Sequence, residues 1–217
     1  MRKRQIIIDC DPGLDDAVAL LIAFAATDRL DLVGITTVAG NVRGELTFRN
    51  ARIIREAAGV NPDLPVRAGA PRPLVRDPVT AEDFHGTTGL GGLDFPKLDR
   101  RASRQHAVNF LIQTFRATRG FPATLVVTGP RTNVALALTM APDIARGIDE
   151  IVVMGGADSE GGNITPHAEF NVYADPHAAH AVFQSGIPMR VLSLDLTHQM
   201  LTSDEMIDRV RALGSPQ

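Results

Sequence analysis

The chain has 217 residues, 44% of them hydrophobic and 22% charged, with a formal net charge of −3. That composition fits a globular fold and excludes a disordered or fibrous chain, and the mild negative charge gives no electrostatic basis for binding nucleic acid. No apolar run approaches the ~20 residues of a membrane-spanning helix, and Ile6, Ile7 and Ile8 alone precede Asp9, too few for the ~7–15-residue core of a secretory signal.

Short β-branched runs alternate with helical patterns, which predicts an α/β fold with a parallel sheet between helices. In chain order the expected elements are a strand over 5–9 and a helix over 14–25, apolar on nearly every face and so expected to be largely buried. A strand over 32–38, a helix over 45–58 closed by Gly59 and a short strand over 64–68 follow. The helix over 104–118 places Ala107, Phe110, Leu111 and Phe115 at helical spacing. Then come a strand over 123–127, a helix over 133–140, a strand over 150–154, a helix over 175–185, a strand over 189–194 and a helix over 203–213. Asp175, before Pro176, and Ser203 read as N-caps. With no repeat, low-complexity tract or linker, residues 1–217 read as a single domain. One cysteine, Cys10, excludes an intramolecular disulfide framework and suits a reducing cytoplasm.

Two connections, 69–103 and 155–174, exceed the ~12–15 residues beyond which a loop is usually functional or disordered. Both follow predicted strands, and open α/β sheets bind ligands beyond the carboxyl ends of their strands. The first holds His85-Gly86-Thr87-Thr88-Gly89, the second Gly161-Gly162-Asn163 and Glu169-Phe170-Asn171.

The strongest signal is Asp9-Cys10-Asp11-Pro12-Gly13-Leu14-Asp15-Asp16-Ala17, four carboxylates within eight residues at a strand–turn–helix junction. Aspartates in a first helical turn complement the helix dipole, which accounts for one or two acids but not four. Several close carboxylates repel unless protons or a cation neutralise them, and a hard divalent cation with oxygen ligands resolves this. Cys10, alternating away from the acids, reads as a packed small hydrophobe, and Asp9 as structural. No phosphate-binding glycine fingerprint follows the first strand, which disfavours nucleotide triphosphates and dinucleotides.

The segment 9–17 resembles the DxDPGxDDA signature of the inosine–uridine-preferring nucleoside hydrolases. The resemblance continues in order through Thr37-Val38-Ala39-Gly40-Asn41, His85-Gly86, Thr128-Gly129-Pro130-Arg131-Thr132-Asn133, Val153-Met154-Gly155-Gly156, Gly162-Asn163, Glu169-Phe170-Asn171 and Asp175-Pro176. It implies an open, mostly parallel, doubly wound sheet with helices on both faces, and hydrolysis of the N-glycosidic bond of ribonucleosides to ribose and free base in nucleoside salvage. By similarity, Asp11, Asp16 and the Thr128 carbonyl bind calcium, and Asp11 is the general base toward the attacking water. Asp15 and Asn171 resemble ligands of the 2′-hydroxyl, Asp16 also one of the 3′-hydroxyl, and Asn163 with Glu169 the pair at the 5′-hydroxyl. Asn41 matches a further pocket asparagine, Met154 an apolar residue beneath the sugar and His85 a histidine of the base pocket. The implied partners are a small ribonucleoside and, in the full-length form, further copies of the chain as a dimer or tetramer, with no nucleic acid and no membrane.

Members of that family continue beyond the point matching Gln217, where they carry another calcium-binding aspartate and, in many, a histidine proposed to protonate the leaving base. No residue after His198 matches either, so the sequence reads as incomplete at its C-terminus. Thr87-Thr88 stands where members often carry an acid. Two alternatives accompany this reading. One is a truncated relative that binds ribose or nucleoside without turnover. The other is a haloacid dehalogenase-type phosphohydrolase, whose first strand also ends in Asp-x-Asp but which wants a lysine at the phosphoryl group, where this sequence offers only Lys3 and Lys97.

Overall fold

In the first strand, Ile6, Ile8 and Cys10 join one apolar cluster while Ile7 joins another, the period of two that a strand buried on both faces requires. The computed structural model describes residues 3–93, 95, 98, 102–118 and 120–214; Lys97, which enters the phosphohydrolase reading, lies outside them. Six strands pair in parallel: β1 (Arg4–Cys10), β2 (Leu30–Thr37), β3 (Val66–Ala68), β4 (Ala123–Val127), β5 (Ile148–Met154) and β6 (Met189–Leu192). The sheet order is β3-β2-β1-β4-β5-β6, so the winding reverses between β1 and β4. That reversal opens a crevice at the carboxyl ends of those two strands.

The helices are α1 (Leu14–Ala25), α2 (Gly44–Ala57), α3 (Glu82–His85), α4 (Ala107–Ala117), α5 (Thr132–Met140), α6 (Phe170–Ala174), α7 (Pro176–Phe183), α8 (Leu194–Thr197) and α9 (Asp204–Ala212). Leu20 and Ala23 of α1 and Ala51, Ile53 and Ile54 of α2 pack on Ile6, Ile8 and Ile35 of one sheet face. On the other face, Leu111 and Phe115 of α4, Val134 of α5 and Val182 of α7 pack on Ile7, Leu125 and Ile151. The doubly wound expectation is therefore met, as are the caps: the Asp175 side chain accepts from Ala178 N and the Ser203 hydroxyl from Met206 N.

Two expectations are corrected. The first is burial of α1, where only Asp16, Leu20 and Ala23 are buried and Val18 and Ile22 are 57% and 64% exposed. Its apolar residues form two stripes, and the sheet and α2 take only one of them. The second is that no element was expected inside the long connections 69–103 and 155–174, where α3 and α6 form; each is too short to show a helical period. Among the described residues no helix is long and apolar enough to cross a membrane.

Candidate active site

The acids lie at the switch point. Thr128 N donates to Asp9 O at 2.9 Å, which continues the β1–β4 ladder into the crevice. Asp9 is fully buried, and its Oδ1 accepts from the Thr36 hydroxyl and from Asn133 Nδ2. It reads as structural here too, bonding side chains of β2 and α5. Burial raises its pKa to about 7 against the pull of those two hydrogen bonds. Cys10 points to the opposite face and is buried, in keeping with its reading as a small core residue.

Asp11 is 1% exposed. Its Oδ2 accepts from Asn41 N at 2.7 Å, and its carbonyl accepts from Asn41 Nδ2 at 3.1 Å. Its Oδ1 is buried and bonded to nothing. A Cβ at Gly40 would lie 2.0 Å from Asp11 Oδ2 and one at Gly129 2.4 Å from Oδ1, so only glycines leave room for this carboxylate. Asp16, on the first turn of α1, is buried beside it and accepts from Asp11 N at 3.0 Å. Burial first, and then the neighbouring Asp16 charge, drive the Asp11 pKa well up; burial and then Asp15 raise Asp16 to about 7. Asp15 itself is exposed at the mouth.

The loop after β5 supplies the other wall. Asn171 Nδ2 donates to the Thr128 carbonyl at 2.8 Å and approaches Met154 Sδ at 3.4 Å, which brings three expected site residues into contact. Glu169, 2% exposed, caps α6: its Oε1 accepts from Asn171 N and its Oε2 from Val172 N and Gly156 N. Asn163 is exposed, with its Oδ1 accepting from Phe170 N at 2.8 Å. On the α1 side, His85 is buried, and its Nδ1 accepts from Leu14 N at 3.3 Å. That bond needs an unprotonated Nδ1, and burial lowers the His85 pKa against the Asp15 charge. Lys3 precedes β1 and so sits toward its amino end, away from the acids.

Two residues of the site, both within the matching block 128–133, had no role assigned from the sequence. Asn133 is fully buried and joins three segments: Nδ2 donates to Asp9 Oδ1 and to Thr37 O, and Oδ1 accepts from Ala70 N. Arg131 is also fully buried and donates from Nη2 to Met154 O at 2.9 Å. The signal for Arg131 was a lone charged residue inside the small and apolar run from 123 to 137.

An open parallel α/β sheet with buried carboxylates at its switch point defines a ligand-binding α/β protein of the doubly wound class. Residues 6–217 match the family described as inosine-uridine preferring nucleoside hydrolase, and the chain belongs to it. It is 46% identical over 216 residues to the pyrimidine-specific ribonucleoside hydrolase RihB of Escherichia coli O1:K1 / APEC, covering 100% of this chain and 67% of that relative. An uncharacterised protein of Schizosaccharomyces pombe is 49% identical over 209 residues, covering 96% of this chain and 67% of its own length. Among solved structures, the purine-preferring ribonucleoside hydrolase from Gardnerella vaginalis superposes with a TM-score of 0.91 at 34% identity, covering 98% of this chain and 68% of that one. A plant nucleoside hydrolase gives 0.84 at 36% identity, covering 91% and 62%. The chain thus spans about two thirds of the length of these relatives.

Proposed function

We propose that the chain carries the site for calcium-dependent hydrolysis of the N-glycosidic bond of ribonucleosides, releasing ribose and free base. The observation that carries this reading is Asp11 Oδ1, a buried carboxylate oxygen with no hydrogen-bond partner, held beside Asp16 at the mouth of the sheet. Family membership supports the substrate class. Among the described residues no three acidic, imidazole or thiol side chains gather as a cation cage. The fit is instead to two carboxylates, Asp11 and Asp16, with the Thr128 carbonyl. Burial and neighbouring charges raise both carboxyl pKa values, so without a cation these groups tend to hold protons that a hard cation would displace. Bound there, calcium would supply Lewis-acid polarisation and an anchor for hydroxyl oxygens.

In this reading, Asp11 Oδ1 accepts a proton from water as the water oxygen attacks the anomeric carbon. The glycosidic electron pair leaves with the base, which takes up a proton, and the ribose keeps the hydroxyl. Positive charge growing on the ribose ring is stabilised by the carboxylates of Asp11, Asp15 and Asp16. Asp15 and Asn171 serve the 2′-hydroxyl, Asp16 the 3′-hydroxyl, and Glu169 with Asn163 the 5′-hydroxyl. Met154 lies beneath the sugar, with Asn41 and His85 along the pocket. Two of the named relatives are described with different base preferences, one pyrimidine-specific and one purine-preferring, so inosine and uridine both belong in the assay. Release of reducing sugar from either, with none of the phosphate from a phosphate ester, is the expected result. Binding without release would favour the non-catalytic reading. A place in nucleoside salvage, in the cytoplasm and as a homo-oligomer completes the proposal; the family resemblance supports the first and third, and the single buried cysteine suits the second.

Melting curves test the cation without turnover. The carboxyl of Asp16 goes from 3.8 when unfolded to about 7 when folded, so between those values the folded chain holds a proton that the unfolded chain has lost. Without a cation, stability is greatest below that window and falls as pH rises through it. Calcium binds the ionised carboxylates, so it should raise the melting temperature more at pH ~8 than at pH ~5. Asp11→Asn should blunt the shift. No shift at millimolar calcium and pH ~8 would remove calcium from the proposal.

A further inference from the structure

We propose that Arg131 is a positioning residue that holds the Glu169 carboxylate and the β5 exit in place for the ribose 5′ end; this rests on the nucleoside reading above. Nothing in the sequence resemblance gives Arg131 a role. Its guanidinium is fully buried at the start of α5, and only Nη2 has a partner, the Met154 carbonyl at 2.9 Å. Nε and Nη1 are buried with no hydrogen-bond partner. A buried guanidinium with so few bonds must be held by nearby negative charge, since burying an unpaired cation is strongly unfavourable. The carboxylates that act on it are Glu169 first and Asp11 second, opposing the effect of burial, which lowers its pKa to about 10.

The geometry ties Arg131 to Glu169 through three successive residues. Arg131 Nη2 holds Met154 O, and Glu169 Oε2 holds Gly156 N at 3.0 Å. Between them Gly155, at φ +147°, leaves a gap where a Cβ would lie 2.1 Å from Arg131 Nη2 and 2.8 Å from Glu169 Oε2. Only glycine lets both groups close on this strand exit. The same exit carries Met154, whose sulfur contacts Asn171 Nδ2, and Asn171 in turn reaches the Thr128 carbonyl. Glu169 already accepts three backbone N–H groups, so its remaining lone pairs set where a ribose hydroxyl can donate. Arg131 acts on that carboxylate from the other side of Gly155, through the strand exit both groups hold, without touching the substrate.

The test is a double-mutant cycle on the whole chain with Arg131→Gln, Glu169→Gln and both together, read in two ways. On inosine or uridine, Arg131→Gln should raise KM by about tenfold or more and change kcat much less, the pattern of lost ground-state and transition-state binding alike. The rise should vanish on the matching 5′-deoxynucleoside and in the Glu169→Gln background. Without substrate, thermal denaturation of the same four proteins should show Arg131→Gln lowering the melting temperature by clearly more when Glu169 is present than when it is replaced. Arg131→Lys keeps the charge in a similar volume, serves if the Gln variant fails to fold, and should show the same 5′-hydroxyl dependence at smaller size. Equal KM losses on the two substrates, or equal melting losses in the two backgrounds, overturn the assignment. A wild-type chain that neither binds nor cleaves any ribonucleoside would instead overturn the nucleoside reading, and the melting cycle would still decide whether Arg131 acts through Glu169.

Discussion

Asp11→Asn should lower turnover of inosine and uridine by about 10²–10⁴-fold, the loss typical of a missing general base. The substitution keeps the shape of the side chain and one oxygen to accept from Asn41 N, so the loop from 39 to 41 should stay in place. What it removes is the second anionic oxygen, the buried Oδ1 that has no other partner. Circular dichroism and melting in the absence of calcium should therefore stay near wild type while activity collapses. Because burial and the Asp16 charge raise the Asp11 pKa, replacing the Asp11 carboxylate should also remove that unfavourable buried charge, and the cation-free variant should melt no lower than wild type at neutral pH. Single-turnover measurements with each nucleoside, alongside melting curves, check both halves. Turnover within about threefold of wild type would remove Asp11 from the chemistry, since a lost base contributes far more than that.

Asn133→Leu should be the most damaging substitution for stability. The leucine matches the volume but leaves Ala70 N without its acceptor and Thr37 O without its donor, and it takes one of two donors from the buried Asp9 carboxylate. Each buried group stranded this way costs about 1–3 kcal/mol, so a loss of about 3 kcal/mol or more is expected from urea unfolding. Asp9 would be left with the Thr36 hydroxyl alone against a burial effect that already raises its pKa to about 7. The acidic turn should then loosen as well, lowering calcium binding along with stability. A loss below about 1 kcal/mol would show that the three bonds contribute little net energy, as fully solvated ones would.

Much of the architecture could be read along the chain. Alternation of β-branched runs with helical patterns gave all six strands, because strand and helix periods are local properties that side-chain spacing carries. The acidic segment from Asp9 to Asp16 was legible for the same reason: a turn after β1 and the first turn of α1 hold its members within a few residues of one another, so their crowding followed from spacing alone. Caps at Asp175 and Ser203 were equally local, each a side chain bonding an N–H three residues on.

The rest was decided by segments far apart in sequence. Which of the two apolar stripes of α1 would be buried depended on where the sheet and α2 lie, so Val18 and Ile22 turned out exposed although they read as core. Asp9 and Asn133 are 124 positions apart, and only the β1–β4 switch point brings them within 2.8 Å. His85, which its own neighbours in sequence place only in a long connection, is buried and accepts from the Leu14 N–H seventy-one residues earlier. Arg131 stood out in sequence only as a lone charge in the run from 123 to 137; its partners appeared when folding removed it from water and set it near Glu169 and Asp11. Spacing in a sequence fixes what neighbours can do to each other, whereas burial and the pairing of distant charges arise only when the chain closes on itself, and it is those that turn a row of aspartates into a site.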